Sequence, residues 1–200
     1  MLPVLIITLV ILFIICLILV FYRPIYLGVE KLFFRSNVAR KVYKIAKDND
    51  YYVLNKVAIN VMGRTIHFDH LLFGNKYIYC IGVKYYSLAI DGNYKDVSWF
   101  NYKTNNKFEY IKNPMRLHRE RVEHFCSLVA PTSDLFVATI LVNNSCLVGD
   151  IKESGKYNKI VRINDFEKLI KEYENDKSVD PIDPILLHKL VLDVFEKGVK

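Results

Sequence analysis

The chain opens on an unbroken apolar run. From Leu2 to Tyr22 there are 21 residues without a charged side chain, and Leu, Ile, Val and Phe dominate on every helical face. At about 1.5 Å per residue a helix of that length reaches across a hydrocarbon core of about 30 Å. The pattern therefore predicts a transmembrane anchor over residues 1–22. A cleaved signal peptide fits less well, because no basic stretch precedes the run, the run is long for such a peptide, and no small-x-small cleavage site comes before Tyr22. From Arg35 to Lys47 the period becomes helical, with Val38, Val42, Ile45 and Ala46 on one face and Ser36 as its N-cap.

Next come short segments rich in Tyr, Val, Ile and Phe: Tyr51 to Val61, Thr65 to Phe73, Lys76 to Val83, Tyr85 to Ile90 and Asp96 to Tyr102. Met62-Gly63-Arg64, Gly74-Asn75 and Asp91-Gly92-Asn93 separate them with turn chemistry, so they predict an antiparallel meander in which Gly74-Asn75 is a two-residue hairpin. After Asn113-Pro114 the residues Met115, Leu117, Val122, Phe125, Cys126 and Val129 predict a helix that ends before Pro131. Leu135 to Val142 is an apolar run with Thr139 as its one polar residue, as in a strand buried on both faces, and Lys159 to Arg162 is a further strand. Asn164 and Glu167 predict a capping box for a helix to about Tyr173, and Asp183-Pro184 opens a last helix to about Lys197.

Composition excludes a disordered chain, since 52% of the 200 residues are apolar and 14% aromatic. The formal charge of +7 invites a nucleic-acid reading. Its distribution redirects that reading. Arg23 to Lys47 carries seven basic residues against one acid, Glu30, whereas Asp48 to Lys200 carries 21 basic and 20 acidic residues. The excess is thus a collar beside the apolar run. Basic residues next to a span stay cytoplasmic, so the expected arrangement is a single-pass protein of the cell membrane with its C-terminal domain in the cytoplasm. Three segments follow: the anchor at 1–22, a basic juxtamembrane linker at 23–35 and a domain at 36–200. Cys16, Cys80, Cys126 and Cys146 are scattered without zinc-ligand spacing and are expected to be reduced packing residues.

The stretch from Phe68 to Tyr86 concentrates the candidate chemistry. An acid on one strand (Asp69), a hairpin, and a lysine near the end of the adjoining strand (Lys84) is the layout of metal-dependent phosphodiesterases. There carboxylates hold a hard cation, and the lysine positions water or stabilises developing charge. With Gly92, Trp99 and Asn113-Pro114-x-Arg116 before a helix, the order and spacing resemble the nuclease-related domain family, NERD, from about Ser36 to the end. The resemblance implies an α/β fold, a mixed sheet flanked by helices, of the restriction-endonuclease-like PD-(D/E)xK type, with membrane anchoring common among its members.

Departures from the family pattern shape the functional expectation. The second carboxylate is expected two residues before the lysine, where this chain has Gly82; the acid of the N-terminal helix is missing around Val38 to Lys41; and the usual glutamine after Asn-Pro matches Leu117. Two readings follow. In the preferred one, a catalytically degenerate NERD domain acts as a binding module at the cytoplasmic membrane face, with DNA as a candidate ligand. In the alternative, Asp69 and Lys84 serve an active DNA or RNA nuclease, with His67 or Asp91 as a second ligand for Mg2+ or Mn2+. Asp69 and Lys84 also have a structural reading as an ion pair. Arg116, Lys76 and Lys95 are the candidate nucleic-acid contacts. His70 is expected to hydrogen-bond within the sheet, Trp99 to be core, and Arg116 and His118 to be exposed on their helix. Tyr77, Tyr79, Tyr85, Tyr86, Tyr94, Phe100 and Tyr102, interleaved with lysines, suit base stacking, but strand packing is their expected role.

Overall fold

The computed structural model describes residues 2–61, 63–103, 107–129, 133–151 and 155–198, without the side chains of residues 2–5, 19 and 23. Met62 and Pro131, which figured in the expected turns and helix end, lie outside the described residues. The chain divides into two units, Met1–Arg35 and Ser36–Lys200. Helix α1 is assigned to Leu2–Asn49. It is followed by β1 (Tyr52–Val61), β2 (Arg64–Phe73), β3 (Ile78–Lys84), β4 (Ala89–Asp91), β5 (Ser98–Tyr102), β6 (Phe108–Lys112), α2 (Pro114–Val129), β7 (Phe136–Val142), β8 (Leu147–Val148), β9 (Asn158–Arg162), α3 (Ile163–Glu174) and α4 (Pro184–Lys197).

In the first unit the apolar side chains from Ile6 to Phe21 that are described stand exposed. Pro24 lies inside the helix, where it removes one backbone donor and favours a bend. Among the described residues no single helix is long and apolar enough to cross a membrane; the segments Ile6–Tyr22 and Pro24–Asn49, bent by 41°, meet the length and composition together. Ser36 does not cap a helix start, because helix already precedes it.

The second unit is a mixed α/β fold. Its main sheet has the order β1-β2-β3-β7-β9. The first three strands form the expected antiparallel meander, and β7 and β9 continue it in parallel. Every residue of β7 is buried, as its apolar run requires of a central strand. One face of the sheet is covered by Val122, Phe125 and Cys126 of α2 and by Leu187, Leu190 and Val194 of α4. On the other face Tyr79 meets Phe166 and Tyr173 of α3 edge-on. Lys41 ties α1 to α3 through Glu167 at 2.6 Å; with Lys171 it holds that carboxyl down at about 2.

Several expected details differ. The connection from β2 to β3 spans four residues, with Phe73 paired to Ile78 and Gly74 N donating to Tyr77 O at 2.9 Å. Glu174 dictates this wider loop: it accepts from Lys76 N and from the Tyr79 hydroxyl, both at 2.9 Å. The expected strand from Tyr85 shrinks to β4, which joins β5, β6 and β8 in a separate sheet ordered β6-β5-β4-β8. The Asn164 capping box is absent, since α3 starts at Ile163 without a side-chain cap. Asp183 does cap α4, accepting from Ile185 N at 2.9 Å.

Asn113 is the joint between the second sheet and α2. It is buried, and its Oδ1 caps α2 by accepting from Met115 N and Arg116 N, both at 3.0 Å. Its Nδ2 donates to Tyr94 O and Asp96 O, both at 2.8 Å, so one side chain fixes the turn before β5 and the start of the helix together.

Candidate functional site

The sheet is irregular where Asp69 sits. Leu54 and Val57 of β1 pack into the same core, as do Phe68 and Leu71 of β2. Three-residue spacings break the two-residue alternation in both strands at one level. Asn55 pairs with His70 and Val57 with Phe68, which sets Lys56 and Asp69 opposite each other at the break. Lys56 adopts a left-handed φ of 51°, an unfavourable conformation for a residue with a Cβ. The kink turns Asp69 across the end of the β2–β3 ladder, where its Oδ2 accepts from Val83 N at 2.7 Å. The structural ion pair with Lys84 does not form; Lys84 is exposed at the end of β3.

Gly82 lies between these residues in the site. The register of His70 with Ile81 extends one step to place Gly82 level with Asp69. A Cβ at Gly82 would stand 3.1 Å from Cε1 and 3.2 Å from Nδ1 of His118. His118 thus packs where the side chain of a second carboxylate would begin. The expectation that His118 is exposed is corrected: it is 3% exposed, while Leu117 is 38% exposed and turns outward. Met115, His118, Val122 and Phe125 follow the spacing of three, four and three that buries one helical face. This stripe was readable in the sequence, but assigning His118 to the polar face hid it.

Two contacts hold the imidazole. Nε2 lies 2.8 Å from Cys80 O, and since a carbonyl only accepts, Nε2 carries the proton. Phe68 meets the ring edge-on with centroids 6.0 Å apart. Burial pushes the His118 pKa down to about 4; Arg121 and Lys84 add to the depression, and the Cys80 carbonyl and the Asp69 charge oppose it. The ring is neutral at pH 7, with its Nδ1 lone pair on the edge that faces Gly82. His70 is also buried, with Nδ1 2.6 Å from Asn55 Oδ1, and desolvation lowers its pKa against the pull of Asp69. Its expected role within the sheet matches that geometry.

The other sequence candidates do not converge on this point. His67 is exposed on β2 and lines a cleft of about 320 Å³ with Arg64, Leu117, Arg121 and His124. Arg64 and Arg121 were not among the sequence candidates. Asp91 belongs to the second sheet, where its Oδ1 accepts from Gly92 N at 3.0 Å. Arg116 is exposed and paired with Glu120 at 3.3 Å. Lys76 is committed to the loop after α3, donating to Asp176 O at 2.6 Å. Lys95 is exposed in the turn before β5. Trp99 is core, as expected, with Nε1 donating to Asn93 O at 2.8 Å. Among the described residues no three of His, Cys, Asp and Glu come together as a metal-ligand group.

The nuclease-related domain, NERD, matches residues 35–143, more than half of the chain. The chain belongs to the NERD family. The match covers the meander, the second-sheet strands up to β6, α2 and β7 of this NERD domain, and it stops before β9, α3 and α4, to which the sequence resemblance had extended. No curated protein and no solved structure matches the chain. Membership in NERD points to a nuclease-like or nucleic-acid-binding function.

Proposed function

We propose that this is a membrane-anchored NERD protein, restriction-endonuclease-like in fold, whose nuclease-like site has lost catalysis and serves at the cytoplasmic face as a nucleic-acid-binding module. One observation carries the reading: the His118 ring packs against Gly82, where the second carboxylate of the family pattern would project. The residues present do not fit a magnesium ion. Magnesium prefers six oxygens in octahedral geometry, usually including one or two carboxylates. Here Asp69 is the one carboxylate of the motif, and one of its oxygens accepts the Val83 N–H. The neighbouring donor is an imidazole nitrogen, which suits softer metals.

The anchor rests on the apolar, exposed segment before Tyr22 and on the bent pair that together has the length and composition of a span. The basic collar after it sets the orientation, each cation contributing about 1 kcal/mol at an anionic leaflet. Titration of the full chain in detergent micelles with Mn2+, followed by the loss of the free-ion resonance, tests the site. No saturable binding dependent on Asp69 is expected. Saturable binding that disappears in Asp69→Ala contradicts the proposal.

A further inference from the structure

The cleft beside β2 lies between two elements that each leave binding groups unused. β2 pairs with β1 from Arg64 onward, but β3 joins its other side only from His70, so the first residues of β2 present an open strand edge. Alternate N–H groups along such an edge have no ladder partner. α2 faces this edge with Leu117, Glu120, Arg121 and His124, whose spacing of three, one and three puts them on one side of the helix. Arg64 and His67 line the cleft from β2. It also borders the NERD site, since His67 lies two residues before Asp69 and Leu117 adjoins His118.

Charge in the cleft favours an anion. The lining carries two guanidiniums, Arg64 and Arg121, and two imidazoles, His67 and His124, against one carboxylate, Glu120. Glu120 accepts from Arg116 Nε at 3.3 Å, so a cation just outside the lining matches it. Asp69, the next acid along β2, is turned to Val83 N. Arg119 and Arg162 have carboxylate partners of their own, Glu123 at 2.9 Å and Asp165 at 2.8 Å. Among the described residues Arg64 and Arg121 have none, and both stand exposed. A guanidinium presents paired N–H donors that fit two oxygens of a phosphate, and strand N–H groups supply further donors. The volume of about 320 Å³ falls within the range of small-ligand pockets, more than a lone ion requires. We propose that the cleft between β2 and α2 is a phosphate-binding site that holds the sugar-phosphate backbone of a nucleic-acid strand against Arg64 and Arg121. For the identity of that strand, the inference rests on the nucleic-acid part of the proposed function.

Fluorescence anisotropy with labelled oligo-dT, using the protein in maltoside micelles that carry no phosphate, tests it, with calorimetric titration of pyrophosphate as a second probe. Arg64→Gln/Arg121→Gln is expected to weaken oligo-dT binding by about tenfold or more, a size set by the loss of two charge-assisted contacts. Arg35→Gln/Arg40→Gln removes the same charge from exposed positions of the basic collar and should weaken it by no more than about threefold. Equal losses in the two variants would reduce the effect to net charge and overturn the proposal. Oligo-dT binding that survives Arg64→Gln/Arg121→Gln overturns the cleft as the site and leaves the nucleic-acid reading standing. Saturable pyrophosphate binding that the same variant abolishes, without oligo-dT binding by the unaltered protein, keeps the phosphate site and overturns the nucleic-acid reading. Binding of neither probe overturns both.

Discussion

Acidification from pH 6.5 to pH 4 should cost the domain on the order of 3 kcal/mol of stability through His118 alone. The buried imidazole has its pKa lowered to about 4, whereas an unfolded histidine titrates near 6.5. Between those values the unfolded chain binds a proton that the folded one refuses. The stabilisation is complete above about 6.5 and is lost as pH falls toward 4. His70 adds to the loss with the same sign. Its size for His118 follows from a shift of about 2.5 units at about 1.4 kcal/mol each, undiminished by solvent because the ring is 3% exposed. Urea unfolding followed through Trp99 fluorescence, compared with His118→Gln, isolates this contribution. Glutamine retains a donor for Cys80 O but does not titrate, so its stability should fall much less over the same range. Parallel pH profiles for the two proteins would place His118 in an environment other than the one described.

Gly82→Ala should destabilise the domain by about 1–3 kcal/mol, the usual cost of forcing an extra carbon into packed surroundings. The sign is informative, because alanine in place of glycine within a strand ordinarily gains about 0.5–1 kcal/mol. The new Cβ meets the His118 ring at 3.1 Å, and that ring is pinned by Cys80 O and Phe68. In a His118→Ala background the same substitution should be neutral or stabilising, giving a coupling energy of about 1 kcal/mol or more in a double-mutant cycle. Additive effects would mean that His118 does not limit the space at Gly82. Gly82→Glu is expected to be tolerated better with His118→Ala than alone, for the same reason.

How far the sequence discloses this arrangement depends on the kind of signal. β7 is legible because a strand buried on both faces reads as a near-continuous apolar run, and Asp183-Pro184 is legible because helix starts reward a local acceptor and a donor-free first residue. The two-sheet division is not legible in that way. β4 has three residues and β8 two, and both gain strand geometry from pairing with each other rather than from local preference. β6 was missed because its ring pattern faces solvent, so no buried alternation marks it. Asn164 failed as a cap because backbone pairing of β9 continues to Arg162, leaving the helix to start at once. At the site, Asp69, Lys84 and the missing acid at Gly82 were visible, whereas their surroundings were not. The kink at Lys56 and Asp69 is a long-range agreement between two strands, and the burial of His118 depends on a helix crossing a glycine distant in sequence.

Cleavage itself tests the central claim most directly. The protein in detergent micelles, incubated with single- and double-stranded DNA and with RNA in Mg2+ or Mn2+, is expected to show no nicking or hydrolysis above the level of its own Lys84→Ala variant. Robust cleavage that Lys84→Ala abolishes would contradict it and would make Asp69 and Lys84 parts of a working nuclease.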